Sequence, residues 1–372
     1  MQLTARPFIS FARKNPVLDV AFFAAVATMF AVRPDAAYLE YFDLRTLSCL
    51  LCTLAVVDAL KDIDFFYRIA RRLVSVFKNL RACVLSLVLI TYVGSMFIAN
   101  DMALITFLPL GYFVLSETNQ RGKMAFVFIL QNIAANLGGM LTPFGNPQNL
   151  YLYSHFQIGN MEFMHIMLPP FLISAVLIFA CCFFLKAMPV TLINREERPM
   201  NKGRVAVYLL LFAMTLLVVF RVIEWWLWLA LIIGPLLFLD LNAVEKVDWA
   251  LLSTFVCFFV FSGNMARIPA VRSFFSGLMQ KDALLFSTLS CQVISNVPSA
   301  VLLSQFTENY PALLVGVNIG GTGTLIASLA SLITFRNYLH YDRPHIGKYL
   351  KLFTIMNFAF LGILLVAMEW ML

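Results

Sequence analysis

Two asparagine turns and two glycine-threonine breaks carry most of the polar chemistry of this chain. Residues 99–110 read ANDMALITFLPL and residues 295–306 read SNVPSAVLLSQF; residues 136–150 read NLGGMLTPFGNPQNL and residues 318–332 read NIGGTGTLIASLASL. In the second pair Asn136 aligns with Asn318, Gly138 with Gly320, Gly139 with Gly321 and Thr142 with Thr324. An asparagine side chain both donates and accepts, and it tolerates the backbone of a tight turn. These groups suit the holding of a ligand, not the breaking of its bonds. All four stretches lie within long apolar segments, where lipid offers the backbone no hydrogen bonds. Irregular backbone at that depth is tolerated only where protein or a water-filled cavity surrounds it. Paired interruptions in matching positions of two halves point to a transporter's binding site.

Asp101 is the sharpest single residue, a carboxylate expected near mid-membrane with no basic residue at that depth. Intramembrane carboxylates are rare and usually functional. It could carry a coupling proton or act as a hard oxygen ligand for sodium; the plainer reading is an N-cap on the second limb of its hairpin. His155, His165, Asp58, Asp240 and Glu308 fall at membrane boundaries, where solvated or capping roles are expected. Trp225, Trp226 and Trp228 read as an interfacial aromatic belt. Cys49 and Cys52 form a CxxC inside a span and read as small buried hydrophobes. No catalytic constellation, phosphate-binding loop or zinc spacing stands out, which argues against an enzyme and against ATP-driven transport. A bound sodium or a coupling proton is the only cofactor expected.

The elements that must position these residues are membrane spans. Of the 372 residues 61% are hydrophobic and 13% charged, with 36 phenylalanines, far from the balance of a soluble domain. Apolar runs able to cross or nearly cross a bilayer occupy 17–32, 44–60, 124–155, 165–187, 205–220, 223–240, 250–263, 310–335 and 350–371. Two further apolar regions, 82–117 and 283–308, bend at Asn100 and at Ser295-Asn296-Val297-Pro298 and read as re-entrant hairpins. The expected fold is therefore an all-α polytopic membrane protein of about nine transmembrane helices plus two hairpins. The net charge of +7 lies in loops between spans, not along one polar face, so it does not indicate nucleic acid.

With the N-terminus in the cytoplasm, the basic residues gather on one side, leaving Arg33, Arg45, Arg221, Arg267, Arg272 and Lys281 on the other. That asymmetry follows the positive-inside rule and places the C-terminus outside. Residues 61–80 space Phe65, Phe66, Ile69, Leu73, Val76 and Phe77 helically against Arg68, Arg71, Arg72 and Lys78, so an interfacial arm helix is expected there. A shorter counterpart is expected over 266–278. Span, span, arm, hairpin, broken span and span thus occur twice. The first unit covers 1–190, a linker with one span covers 191–222, and the second unit, inverted, covers 223–372.

Taken together, AND-x-AL, the GNPQN after NLGG, SNVP and NIGGTGT resemble the ion transporter superfamily, over about residues 15 to 371. Its members include divalent anion:sodium symporters, citrate/metal and arsenite permeases and D-type sodium/proton antiporters. The resemblance implies a secondary transporter of a small anion or oxyanion in the cell inner membrane, working by alternating access, and a homodimer. It implies substrate contacts from Asn100, Thr142, Asn146, Ser295, Asn296, Thr322 and Thr324. Ion coupling would fall to Asp101, Asn136, Gly138, Gly145, Asn318 and Gly320. The dicarboxylate symporters carry Ser-Asn-Thr at each tip; here Val297 replaces the second threonine, and Ala99 and Asp101 depart at the first tip. Sodium/proton exchange through Asp101, and a channel or a membrane subunit that needs a partner, are the competing readings.

Overall fold

The computed structural model describes residues 16–189, 201–220 and 225–372. The basic N-terminal segment, the linker around Arg195 and Arg198, Arg221, and the side chains of Trp225 and Trp228 lie outside what is described. Helices account for 82% of the described residues, and no strand is present among them. Among the described residues five helical segments are long and apolar enough to cross a membrane, and shorter apolar helices accompany them. This is an all-helical, multi-pass membrane protein.

The first stretch runs α1 (Pro16–Ala31), α2 (Leu44–Asp62) and α3 (Phe65–Ser75). It continues with α4 (Leu80–Ile98), α5 (Asn100–Glu117), α6 (Met124–Gly138), α7 (Pro147–His155) and α8 (Asn160–Cys182). Next come α9 (Lys202–Val219), α10 (Trp225–Leu239) and the short α11 (Leu241–Glu245). The last stretch runs α12 (Trp249–Arg267), α13 (Pro269–Lys281), α14 (Ala283–Ile294) and α15 (Asn296–Leu303). It ends with α16 (Tyr310–Ile319), α17 (Leu329–Tyr341) and α18 (Ile346–Glu369).

Six helices start where the sequence supplies a side-chain cap. Asp43, Asn79, Asp248, Asp282, Asn309 and Ser328 each accept a backbone N–H of their helix's first turn, satisfying donors that helical bonding leaves open. The arm is shorter than the 61–80 expected. Helix α2 continues to Asp62, a turn with Asp64 at φ 56° follows, and α3 ends at Ser75.

Helix α6 is buried on all sides, with Phe126 alone outside its buried set, and carries Gln131, Asn132 and Asn136 into the interior. Helices α8 and α18 lie at the periphery. Leu172, Val176, Ile363 and Val366 are about half exposed or more, the pattern of side chains that face lipid. The seven cysteines are free, and Cys49 and Cys52 are buried, as expected of small hydrophobes. Asp58 departs from expectation: it is buried, 3.7 Å from Lys61 Nζ, with Oδ2 unpartnered.

Close helix contacts hold the hairpins against the broken helices. A Cβ on Gly138 would sit 2.1 Å from the Tyr92 carbonyl oxygen, so α6 and α4 touch backbone to backbone. A Cβ on Gly316 would sit 2.8 Å from the Leu284 carbonyl oxygen, and α16 meets α14 in the same way. Across the halves, α5 packs on α17, with Tyr112 and Tyr341 stacked at 3.8 Å. Helix α7 packs on α15, with Tyr151 hydroxyl 2.8 Å from Ser304 Oγ.

Candidate functional site

Both hairpin tips turn on one strained residue. Ala99 has φ 62° and ψ 151°, and Ser295 has φ 75° and ψ 160°. That region of backbone space is almost reserved for glycine, and a residue with a Cβ persists there only where the surroundings over-determine it. The surroundings match at the two tips. Asn100 N donates to the Gly145 carbonyl at 3.2 Å, and Asn296 N donates to the Ala327 carbonyl at 2.9 Å. Asn100 Oδ1 accepts from Asp101 N and Asn296 Oδ1 accepts from Val297 N, each at 2.9 Å. Each hairpin tip is therefore tied to the break that follows it in the chain.

The breaks are braced in parallel fashion. Thr142 donates its hydroxyl to the Met96 carbonyl at 2.6 Å, and Thr324 donates to the Gln292 carbonyl at 3.1 Å. Thr322 donates to the Ile319 carbonyl at 2.6 Å. These threonines are set in place by their own O–H groups, leaving lone pairs, not donors, for a ligand.

Two amides that the sequence reading passed over hold the unwound backbone. Asn149 Nδ2 points at the carbonyls of Gly139, Met140 and Thr142, at 3.1–3.3 Å. Gln292 Nε2 donates to the Gly320 and Thr322 carbonyls at 2.8 and 3.0 Å, while its Oε1 accepts from Thr324 N at 2.9 Å. Asn149 stands within the GNPQN run and could have been singled out there; Gln292 lies inside an ordinary helical pattern and carried no signal.

The two breaks meet. Asn136 donates to Ser328 Oγ at 3.0 Å, and its Oδ1 accepts from Asn100 Nδ2 at 3.1 Å. Asn318 Oδ1 accepts from Asn146 Nδ2 at 3.1 Å and from Gln148 Nε2 at 3.3 Å, while Asn318 Nδ2 donates to Asn149 Oδ1 at 2.6 Å. Asn132 extends the network to Ser331 at 3.1 Å. The structure thus brings Asn100, Asn136, Asn146 and Asn318 into one buried network. Gly138 serves close packing, Gly145 offers its carbonyl to the first tip, and Gly320 offers its carbonyl to Gln292.

Within this symmetry lies an inequality. Asn100 Nδ2 is bound to Asn136, whereas Asn296 Nδ2 makes no hydrogen bond among the described residues; Asn318 Oδ1, its counterpart acceptor, is taken by Asn146 and Gln148. Asp101 lies in the first turn of α5 but accepts no backbone hydrogen bond, so it does not act as a cap, and its Oδ1 is buried without a partner. Asn146 Oδ1 and Gln148 Oε1 are also buried and unpartnered. Around the network α5, α7, α15 and α17 all begin. Four helix N-termini, each carrying positive partial charge, therefore converge. Of the remaining candidates, His155 and His165 are exposed at the ends of α7 and α8, Glu308 is exposed, and Asp240 accepts from the Tyr208 hydroxyl at 2.8 Å.

Comparison with known proteins matches this sequence to a family. The family model described as citrate transporter (CitMHS) matches residues 8–315. The chain belongs to this family. It is 32% identical over 312 residues to the uncharacterized transporter MJ0456 of Methanocaldococcus jannaschii, covering 82% of this chain and 84% of that one. It is 29% identical over 317 residues to the inner membrane protein YbiR of Escherichia coli, covering 82% of each. A shorter match, 30% over 142 residues, covers 38% of this chain and 28% of the silicon efflux transporter LSI3 of Oryza sativa subsp. japonica. This member of the citrate transporter family is a multi-pass membrane transporter of the CitMHS type, within the ion transporter superfamily.

Proposed function

We propose that this chain is an ion-coupled secondary transporter of a small anion or oxyanion across the cell inner membrane. The observation that carries the reading is the sorting of free groups around four helix N-termini. Among the described residues Asn296 Nδ2 makes no hydrogen bond, its Oδ1 alone being engaged, and Asp101 Oδ1, Asn146 Oδ1 and Gln148 Oε1 are buried acceptors without a partner. Helix N-termini and amide donors hold an anion. Unpartnered oxygens hold a cation or, at Asp101, a proton. Ser295 and Asn296 then face the substrate with N-terminal help from α15, and the first half holds the coupling ion. The lone pairs of Thr142, Thr322 and Thr324 add oxygen ligands.

The repeated order of elements, from α1–α2–α3 against α10–α12–α13 to α8 against α18, supports two inverted units at 1–190 and 223–372 joined through 191–222. In alternating access, hairpins and broken helices move against the remaining spans. The positive-inside pattern supports a cytoplasmic N-terminus and an external C-terminus, and the name of YbiR supports the inner membrane. The name of LSI3, a silicon efflux transporter, allows efflux as the direction. A homodimer accords with the superfamily. Sodium/proton exchange through Asp101 is the second reading, favoured by its buried, unpartnered oxygen.

The test is transport by the purified chain in proteoliposomes. Labelled citrate, phosphate and arsenite are offered under an imposed sodium or proton gradient. Gradient-dependent accumulation of an anion is the expected result. Cation-driven pH change with no anion requirement would replace the first reading by the second, and an inactive chain would overturn both.

A further inference from the structure

A cavity of about 330 Å³ is bordered on one side by residues 40–45, and none of the tip-network residues lines it. Its wall comes from several parts of the chain: Arg45 at the start of α2, Tyr151 and Ser154 on α7, Ser262 on α12, and Gln305 just beyond α15. A volume of that size accommodates a small organic ligand.

Two features of the wall point to an anion. Among the described residues Arg45 is the only Lys or Arg lining the cavity, and it makes no ion pair or hydrogen bond with any of them. Ser262 is 1% exposed and its Oγ has no partner, so a buried hydroxyl in the wall lacks the hydrogen bond it would normally make. The acidic residues of the wall leave Arg45 unclaimed. Asp43 uses one oxygen for Thr46 N at 2.9 Å and the other for Thr46 Oγ1 at 2.6 Å, and Glu40 is exposed at the rim.

The cavity shares helices α7 and α15 with the tip network. Tyr151 stands one helical turn beyond Pro147, and Val301, also in the wall, stands five residues beyond Asn296. At 1.5 Å of rise per residue these separations are roughly 6 and 8 Å. We infer that this cavity is a second, vestibular site for a small carboxylate, in which Arg45 pairs with the carboxylate and Ser262 donates to it before the ligand passes to the Asn296 tip. This inference rests on the anion-transport reading. The two carboxylates beside Arg45 disfavour a ligand of high negative charge, so a mono- or dicarboxylate suits the site better than a trianion.

The experiment is calorimetric titration of the purified full chain with succinate and citrate, for the unaltered chain, Arg45→Gln, Arg45→Lys and Asn296→Ala, alongside uptake kinetics. Two binding events are expected in the unaltered chain. Arg45→Gln removes one of them, weakening it tenfold or more, and raises KM for uptake with little change in kcat; Arg45→Lys restores part of the loss. Asn296→Ala removes the other event and abolishes transport. One binding event, lost in Asn296→Ala and unchanged in Arg45→Gln, overturns the vestibular site and leaves the tip site standing. No binding of either carboxylate by the unaltered chain overturns the vestibular site as a carboxylate site, and transport of a different anion would still keep the wider reading.

Discussion

Asn136 and Ser328, 192 positions apart, are joined by a hydrogen bond of 3.0 Å from the asparagine amide to the serine hydroxyl. In the alignment of the two breaks Asn136 corresponds to Asn318 and Ser328 to Asn146, and those two counterparts are themselves joined at 3.1 Å. Each break thus grips the other through equivalent positions. A movement of one that left the other behind would break both bonds, so the two breaks act as one unit.

Asn136→Ala would strip partners from Ser328, Asn100 and the buried network in one step. Leaving buried polar groups unsatisfied costs about 1–3 kcal/mol. Thermal unfolding in detergent should show that loss together with abolished uptake; an unaltered melting curve would show that the network adds nothing to stability.

Asp101→Asn removes a carboxylate whose Oδ1 is buried without a partner and which accepts no hydrogen bond among the described residues. Stability should stay within about 0.5 kcal/mol of the unaltered chain, while gradient-driven accumulation disappears or loses its dependence on the coupling ion. A transport rate that keeps the original pH profile would remove Asp101 from the coupling step.

Gly138→Ala sets a Cβ 2.1 Å from the Tyr92 carbonyl, and the contact is backbone, so the helices must separate. A destabilisation of about 1–3 kcal/mol is expected. Gly362→Ala meets nothing within 4 Å in α18 and should stabilise the helix by about 0.5–1 kcal/mol. Melting temperatures of the two variants should move in opposite directions.

Outside the membrane-spanning segments Asp35 bonds Arg267 through both oxygens, at 2.9 and 2.6 Å. The hydrogen bond from Arg267 holds the Asp35 carboxyl below its ordinary value of 3.8, against an opposing effect of desolvation. A depressed carboxylate stabilises the folded state above its unfolded pKa, and that stabilisation is lost as pH falls through the folded value. Asp35→Asn should therefore lower the melting temperature slightly at neutral pH, and the difference should shrink below about pH 4.

Topology can be read by cysteine labelling. The arm residue Ala70 is fully buried and unsuitable, but Val76 and Phe274 are 73% and 61% exposed. In a background without Cys181 and Cys257, Val76→Cys should react from the cytoplasmic side and Phe274→Cys from the outside. Reaction of both from one side would refute the inverted arrangement.

Sequence by itself determined that the chain is helical and crosses a membrane many times, and it located both tips and both breaks to within a residue or two. The reason is physical: in lipid the backbone must satisfy itself, so Asn100, Ser295-Asn296 and the two Asn-x-Gly-Gly runs stand out against apolar surroundings. The tertiary structure decided what those groups do. Whether Asn136 bonds Ser328, whether Asn296 keeps a free amide and whether Gln292 holds the Gly320 carbonyl depend on how segments far apart in the chain pack. Gln292 shows the limit most clearly, because a glutamine within a helix has the same local pattern whether it faces lipid headgroups or an unwound strand of backbone. Partner choice is a property of proximity, and proximity is set by close contacts such as Gly138 against Tyr92, which no spacing in the sequence encodes.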